Sequence, residues 1–404
     1  MSFAATQADA PSRRAGAPAR PFAAVEIHAE PGDARHDWLD LEPAAGSYQS
    51  LRFVAAWAEA ARARLCVAVA RDATGRAVAL LPLQLESFGP LTSAGFAGGV
   101  WANYHMGLFR PGLDWSADDL TALLRAAGRA AGIDLFAFIN QPARWEGAGN
   151  PLAPLFGGRA PSPAFASALA PVHPQWLDAH FSRATQKKLR KKARKLEAFG
   201  PVRHARAADA QEAERFLAAC LAHRAARAGV DAFASAQVLA LLRGLIASGA
   251  MEMHALLAGE RIAATFGALA HGRRLSGLVV SYDGAAEIAA ATPGELLLIE
   301  VVRDAMARGF ATFDLGVGES RYKREICEIE EILSDSALGV SPLGRAAAPV
   351  WLAARAGVGA IKRRPWLFSR VQRLRRALAR GDDGAADDGG AGEPERRGRG
   401  REAG

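Results

Sequence analysis

Between Ile262 and Ile332 the spacing of apolar and polar positions changes several times. Ile262–Leu269 is a run of small and apolar residues of strand length. His271-Gly272-Arg273-Arg274 follows as a turn, and Leu275–Tyr282 is a second such run. The pair predicts an antiparallel hairpin. The period then becomes helical. From about Glu295 to Arg308, Leu296, Leu297, Ile299, Val302 and Met306 form a broad apolar stripe, and Gly309 closes the helix. Glu300, Arg303, Asp304 and Arg308 lie mostly off that stripe. Phe310–Leu315 reads as the next strand and runs into a polar, glycine-bearing loop from Gly316 to Arg324. A hydrophobic helix between two strands, with polar loops at both junctions, is a common frame for a small-molecule site.

The same reading organises the remainder. Residues 1–20 are small, polar and proline-bearing, and are expected to form a disordered tail. A helix is expected from about Leu51 to Arg64, with Phe53, Trp57 and Ala61 on one face. Leu65–Ala70 and Ala77–Leu83 bracket Asp72-Ala73-Thr74-Gly75, a hairpin signal. Pro90–His105 is rich in glycine and aromatic residues and reads as loop or short strand. A helix at Leu120–Ala131 and a strand at Ile133–Ile139 precede a Pro/Gly-rich connection to about Pro174. A short helix is expected at Trp176–Phe181, then a strongly basic one at Arg183–Ala198. Leu189, Ala193 and Leu196 give the basic helix one packing strip. Val202–His204 reads as a strand. Asp209 caps a helix to about Ala228, whose apolar face makes Cys220 a core residue; Ala236–Ser248 and Met251–Leu257 follow as helix and strand. Pro349–Arg380 mixes Trp351, Trp366 and Phe368 with many arginines, as in one or two basic amphipathic helices. The expected division is 1–20 tail, 21–174 first α/β domain, 175–340 second, 341–380 basic extension and 381–404 mobile tail.

Composition narrows the function. A chain of 404 residues suits two or three domains. The net charge of +8 is concentrated at 183–195 and 362–380, which favours anionic partners. Cys66, Cys220 and Cys327 are far apart and fit a reducing compartment. No metal-ligand spacing stands out, so no metal is expected. The N-terminus lacks the apolar core of a signal peptide, and no apolar run reaches spanning length. A cytoplasmic protein is the expectation, with 349–380 a candidate for contact with the inner membrane face. GxSxG and Walker sequences are absent, and Gly316-Val317-Gly318 follows a strand without opening a dinucleotide fold. What remains is positioning chemistry: two substrates held in line, a polarised carbonyl and one weak base. N–H groups at the start of the 295–308 helix suit phosphate or a pantetheine arm, which makes Thr292, Gly294 and Glu295 candidates. Lys323, Arg324 and Arg190 are candidate phosphate neutralisers.

Three stretches together resemble a known family. They are Thr292-Pro293-Gly294-Glu295-Leu296-Leu297-Leu298, then Gly309–Gly316, then Gly318-Glu319-Ser320-Arg321-Tyr322-Lys323-Arg324. Their order resembles the GNAT-superfamily acetyltransferase domain of bacterial CelD-like and BioF2-like proteins, related in build to the FemAB aminoacyltransferases. The hairpin from Arg261 to Tyr282 and the basic helix Gln186–Lys195 fit the same pattern. The likeness covers about 48–335. It implies an α/β (α+β) fold of two tandem GNAT-like lobes, each a mixed, mostly antiparallel sheet flanked by helices. It implies transfer of an acyl group, acetyl above all, from acetyl-CoA or another acyl-CoA to an amine or hydroxyl of a small-molecule or saccharide acceptor, in envelope or exopolysaccharide work. Ala291-Thr292-Pro293-Gly294 stands where the usual Arg/Gln-x-x-Gly-x-Gly/Ala loop would be, which leaves room for an aminoacyl-tRNA donor whose phosphates suit the 183–195 helix. A non-catalytic nucleic-acid or membrane-surface protein is the remaining class. Under the enzymatic readings Asp314 is a base or an orienting carboxylate, Glu319 an exposed proton acceptor, and Tyr322 a proton donor to the leaving thiolate. Trp101, Asn103, Tyr104 and His105 form one wall of the acceptor cleft. The plainer alternatives are a turn carboxylate, a surface loop, ion pairs to Glu325 and Glu328, and core packing.

Overall fold

The computed structural model describes residues 6–7, 20–153, 155, 157–169, 180–226 and 235–364. The predicted tails apart from residues 6–7 and 20, most of the Trp176–Phe181 helix and the basic extension beyond residue 364 lie outside them; Thr6–Gln7, expected in the disordered tail, pairs instead as a short strand with Ala24–Val25. In chain order come β1 (Ala24–His28), α1 (Arg35–Leu41), α2 (Leu51–Ala61), β2 (Leu65–Arg71), β3 (Ala77–Phe88), β4 (Leu91–Phe96), α3 (Ala117–Ala131) and β5 (Leu135–Pro142). Next are β6 (Gly157–Arg159), β7 (Ala164–Ala168), α4 (Arg183–Leu196), β8 (Val202–Arg206), α5 (Ala210–Ala225) and α6 (Ala236–Ala247). Then follow β9 (Met251–Ala258), β10 (Arg261–His271), β11 (Arg274–Tyr282), α7 (Pro293–Ala307), β12 (Thr312–Val317), α8 (Arg321–Ile326), β13 (Ile329–Glu331), β14 (Leu333–Gly339) and α9 (Pro342–Lys362).

Local chemistry sets the boundaries. Ser50 caps α2 through the Phe53 N–H, and Arg62 ends it in the left-handed region two residues before the expected end. Ser116 and Asp119 form a capping box that starts α3 three residues earlier than the apolar pattern suggests. The turn expected at His271–Arg274 is only Gly272-Arg273, because His271 and Arg274 already pair. Pro90–His105 holds the full strand β4. The helix expected from Pro349 begins at Pro342 and carries Pro349 inside it.

Two sheets form. One runs β1-β2-β3-β4-β5-β14-β6, with Thr6–Gln7 at its edge and Leu108–Phe109 beside β3; the other runs β8-β9-β10-β11-β12-β7-β13. They exchange strands: β7, early in the chain, enters the second sheet, and β14, late in the chain, enters the first. Most neighbours are antiparallel. The exceptions are β4 with β5 across α3, and β11 with β12 across α7. Each sheet thus contains hairpin, helix and parallel return strand, a GNAT-like arrangement of mixed sheet and flanking helices. Leu120, Leu123 and Leu124 of α3 pack on Phe136 and Phe138. Leu297, Leu298, Val301 and Val302 of α7 pack on Phe266 and Phe313. Each such buried side chain contributes about 1.5–3 kcal/mol. A third cluster joins the halves, with Phe53, Val54 and Trp57 of α2 beside Leu241, Leu242 and Leu245 of α6. Residues through Ala356 pack as one unit. Among the described residues no helix is long and apolar enough to cross a membrane.

Candidate active site

The parallel pair β11 and β12 is joined at only three rungs: Arg274 with Thr312, Leu275 with Phe313 and Ser276 with Asp314. Both strands continue beyond that point, β11 to Tyr282 and β12 to Val317, so a wedge opens between them. Its root is sealed from the other half of the molecule. Asn103 donates from Nδ2 to the Tyr48 hydroxyl at 2.6 Å and to the Gly277 carbonyl at 3.3 Å, and its Oδ1 accepts the Val317 N–H at 3.1 Å. One amide therefore spans both strands. Gly316 makes room for it, since a Cβ there would lie 2.2 Å from Asn103 Nδ2 and its φ is +71°.

Asp314, on the last rung, is 0% exposed. Its Oδ1 accepts from the Tyr104 hydroxyl at 2.9 Å and the Gly316 N–H at 2.6 Å, and its Oδ2 from Arg274 Nε at 3.0 Å. A hydroxyl pair, Ser276 to Ser47 at 3.2 Å, again links the two halves. The Arg274 guanidinium lies 4.1 Å from the Trp145 ring centroid. It also faces Glu146 at 3.4 Å and Glu331 at 3.9 Å. Three carboxylates thus share one buried cation. Burial, then the Asp314 and Glu146 charges, push the Glu331 carboxyl up to about 7 against the opposing pull of Arg274. Burial first, and Asp314 second, hold the Tyr104 phenol well above its ordinary value.

The other predicted residues are dispersed around this centre. Lys323 is buried and donates to the carbonyls of Gly316 at 3.2 Å and Val317 at 2.9 Å, tying α8 to the end of β12. Burial lowers its pKa to about 8. Arg324 is exposed and pairs with Glu319 at 2.9 Å and Glu330 at 3.7 Å, so the exposed acceptor and the expected phosphate ligand neutralise each other. Tyr322 is half-buried, and burial raises its pKa. Thr292 precedes α7 at φ +46° without a side-chain cap. Its hydroxyl binds Glu295 at 3.0 Å, and Lys192 of α4 grips the same carboxylate at 2.5 Å. Gly294 lies beside them in the first turn. Arg190 is exposed on α4; among the described residues, Lys192 is the cation of that helix that forms an ion pair.

The aromatic stretch divides. Asn103 and Tyr104 reach the wedge root and Trp101 is half-buried, whereas His105 is 1% exposed and bonded through Nε2 to the Gly99 carbonyl at 3.0 Å. The sequence reading missed Arg274, Ser276, Ser47, Trp145, Glu146 and Glu331 as site residues, and took position 48, Tyr48, only as the start of the resemblance. One signal was present: Arg274 and Ser276 are i,i+2 neighbours on one face of an otherwise apolar strand. Elsewhere, Glu252, His254 and Asp304 bring metal-type ligand atoms together, but Arg308 already binds both carboxylates, at 2.7 and 3.0 Å.

The acetyltransferase (GNAT) domain model matches residues 183–324. The chain is similar in fold to FemX, at 11% identity and a TM-score of 0.54, over 78% of this chain and 98% of that one. It also aligns with L-PGS from Bacillus licheniformis, at 13% identity and a TM-score of 0.48, over 80% and 97%. No curated protein sequence matches.

Proposed function

We propose that this chain is an acyltransferase that moves an acyl group from a coenzyme A thioester to an amine or hydroxyl of a polar acceptor. The observation that carries the reading is the parting of β11 and β12 after three rungs, beside an uncapped start of α7. A parted strand edge suits an extended donor arm, and helix N–H groups suit its phosphates. The acceptor nitrogen or oxygen attacks the thioester carbonyl, the new C–N or C–O bond forms, and the C–S bond breaks. Glu331 takes the acceptor's proton, because a carboxyl near 7 is matched to neutral pH and only Arg274 separates it from the last rung. Asp314 acts as a positioning residue, since its oxygens already accept from Tyr104, Gly316 and Arg274. Tyr322, protonated at neutral pH, returns a proton to the thiolate.

A second reading has its own observation. The α4 cations other than Lys192 form no ion pair among the described residues, and Glu295 places negative charge at the α7 start where a diphosphate would lie. Both features favour a long polyanionic donor such as aminoacyl-tRNA. Thiol release from acetyl-CoA and longer acyl-CoAs, measured against amines, amino sugars and polyols, tests the first reading. Glu331→Gln should lower kcat about 10²–10⁴-fold and remove the limb near pH 7. Transfer from charged tRNA with none from acyl-CoA would replace the first reading with the second. Failure of both donors would sink both.

A further inference from the structure

Eight of the fourteen residues of α4 are lysine or arginine, and seven of these are exposed. At about 100° per residue the seven cover about 160° of the helix, centred opposite Leu189 and Leu196, which pack into the core. Ala184 is the other side chain in that arc, so the face offers charge and nothing that reads or stacks on a base. None of the seven forms an ion pair among the described residues. The eighth, Lys192, joins this ridge to the proposed donor site by gripping Glu295 in the first turn of α7. Arg321 of α8 lies within electrostatic reach of the same carboxylate. From there the edge of β11 that β12 leaves open runs back to the last rung. Tyr282 is the nearest neighbour of a Cβ on Gly294, at 3.7 Å, and Gly277 to Tyr282 spans about 17 Å. An open strand edge pairs with an extended arm that carries amides, which the 3′ end of an RNA lacks. Glu295 already brings negative charge to the α7 start, which suits a single phosphodiester better than the several phosphates of coenzyme A.

We propose that the acyl donor is a thioester carried on an acidic protein, whose phosphopantetheine arm enters the wedge while its acidic surface docks on α4. The inference rests on the thioester reading and names the partner of that site. Charge complementarity sets the partner's surface, and the open edge sets its arm. The acceptor atom bonds the thioester carbon and gives its proton to Glu331. The C–S bond breaks, and the thiolate left on the carrier's arm takes a proton from Tyr322.

The test is fluorescence anisotropy of a dye-labelled bacterial acyl carrier protein titrated with the full-length protein. The holo carrier should bind, more weakly as salt rises. The apo form, which lacks the arm, should bind about 3–10-fold less tightly. Lys187→Glu with Arg194→Glu, at the centre of the arc, should weaken holo binding about tenfold or more. Both exchanges relieve like-charge contacts at i,i+4, so the helix should hold. In the same variant, kcat/KM should fall about tenfold or more with the acetyl carrier, yet stay within about twofold with acetyl-pantetheine, an uncharged arm without a protein. No carrier binding, equal binding by the double variant, or equal binding of holo and apo forms would overturn the proposal. So would a tRNA that displaces the carrier and binds more tightly at the same salt. Holo carrier bound through α4 without transfer from any thioester would uphold the docking surface and sink the reading of the wedge chemistry.

Discussion

The two halves of this molecule open the same backbone device in opposite ways. In the first sheet the parallel strands β4 and β5 end their pairing at Ala94 with Phe136; in the second, β11 and β12 end theirs at Ser276 with Asp314. A glycine follows at once in each. A Cβ on Gly95 would lie 3.2 Å from the Ala137 carbonyl, and one on Gly277 would lie 3.2 Å from the Asp314 carbonyl. The last rung differs in chemistry. Ala94 and Phe136 continue into an apolar trough beneath a helix. Ser276 and Asp314 continue into a buried network of arginine, tyrosines and carboxylates reaching across to the other half. One last rung meets a largely apolar face and the other a charged, hydrogen-bonded network.

Exchanging the chemistry of the last rung should give the largest effects. Asp314→Ala leaves Arg274 buried without its main partner and should cost about 3–5 kcal/mol by chemical denaturation, together with activity. Phe136→Ala should cost about 3–5 kcal/mol as well, through a cavity, yet leave kcat of the folded protein within a few-fold. Equal loss of kcat in both would break the assignment of roles. Gly316→Ala comes next, since it forces a left-handed alanine against Asn103; about 2–3 kcal/mol is expected. Asn103→Ala should cost about 1–3 kcal/mol by orphaning the Val317 N–H and leaving the Gly277 carbonyl only its 3.4 Å bond from the Tyr48 hydroxyl.

The strand-helix-strand module from Ile262 to Leu315 was legible because a period of two gives way to 3.6 and back within one stretch. The fold class followed from it and from the resemblance. The strand exchange was not legible. β7 is five residues, Ala-Phe-Ala-Ser-Ala, embedded in what reads as a Pro/Gly connection, and its partners lie about 150 residues away. Pairing that distant leaves no local signature. Asp314, Asn103 and Tyr104 were found because polar residues beside a strand end attract notice. Arg274 was hidden because an arginine after a glycine reads as turn, although here three carboxylates and two aromatic rings make its burial tolerable. Glu331 was hidden for the same reason: what sets it apart is its surroundings, contributed by strands far apart in sequence.

The smallest expected effect tests those surroundings. The folded-state pKa of Glu331 is raised, so native Glu331 favours the protonated form. Its stability cost is absent below the ordinary carboxyl range, grows as pH rises, and is complete above about 7. Glu331→Gln should therefore be more stable than the wild type by on the order of 1 kcal/mol at pH 8, and nearly equal to it at pH 4. Denaturation midpoints at the two pH values decide it; a difference independent of pH would show that the carboxyl is not strained by its neighbours.

The central claim is that the polar wedge receives a phosphate-bearing donor at the start of α7. Calorimetric titration of acetyl-CoA into the wild type and Gly294→Asp tests it most directly. The substitution adds a carboxylate in the first turn, where the helix dipole favours it and the nearest neighbour of a Cβ is Tyr282 at 3.7 Å, so the fold should hold. Micromolar to submillimolar binding by the wild type, weakened at least tenfold by Gly294→Asp, is the predicted result. Binding of equal strength in both, or no binding of any coenzyme A thioester, would contradict it.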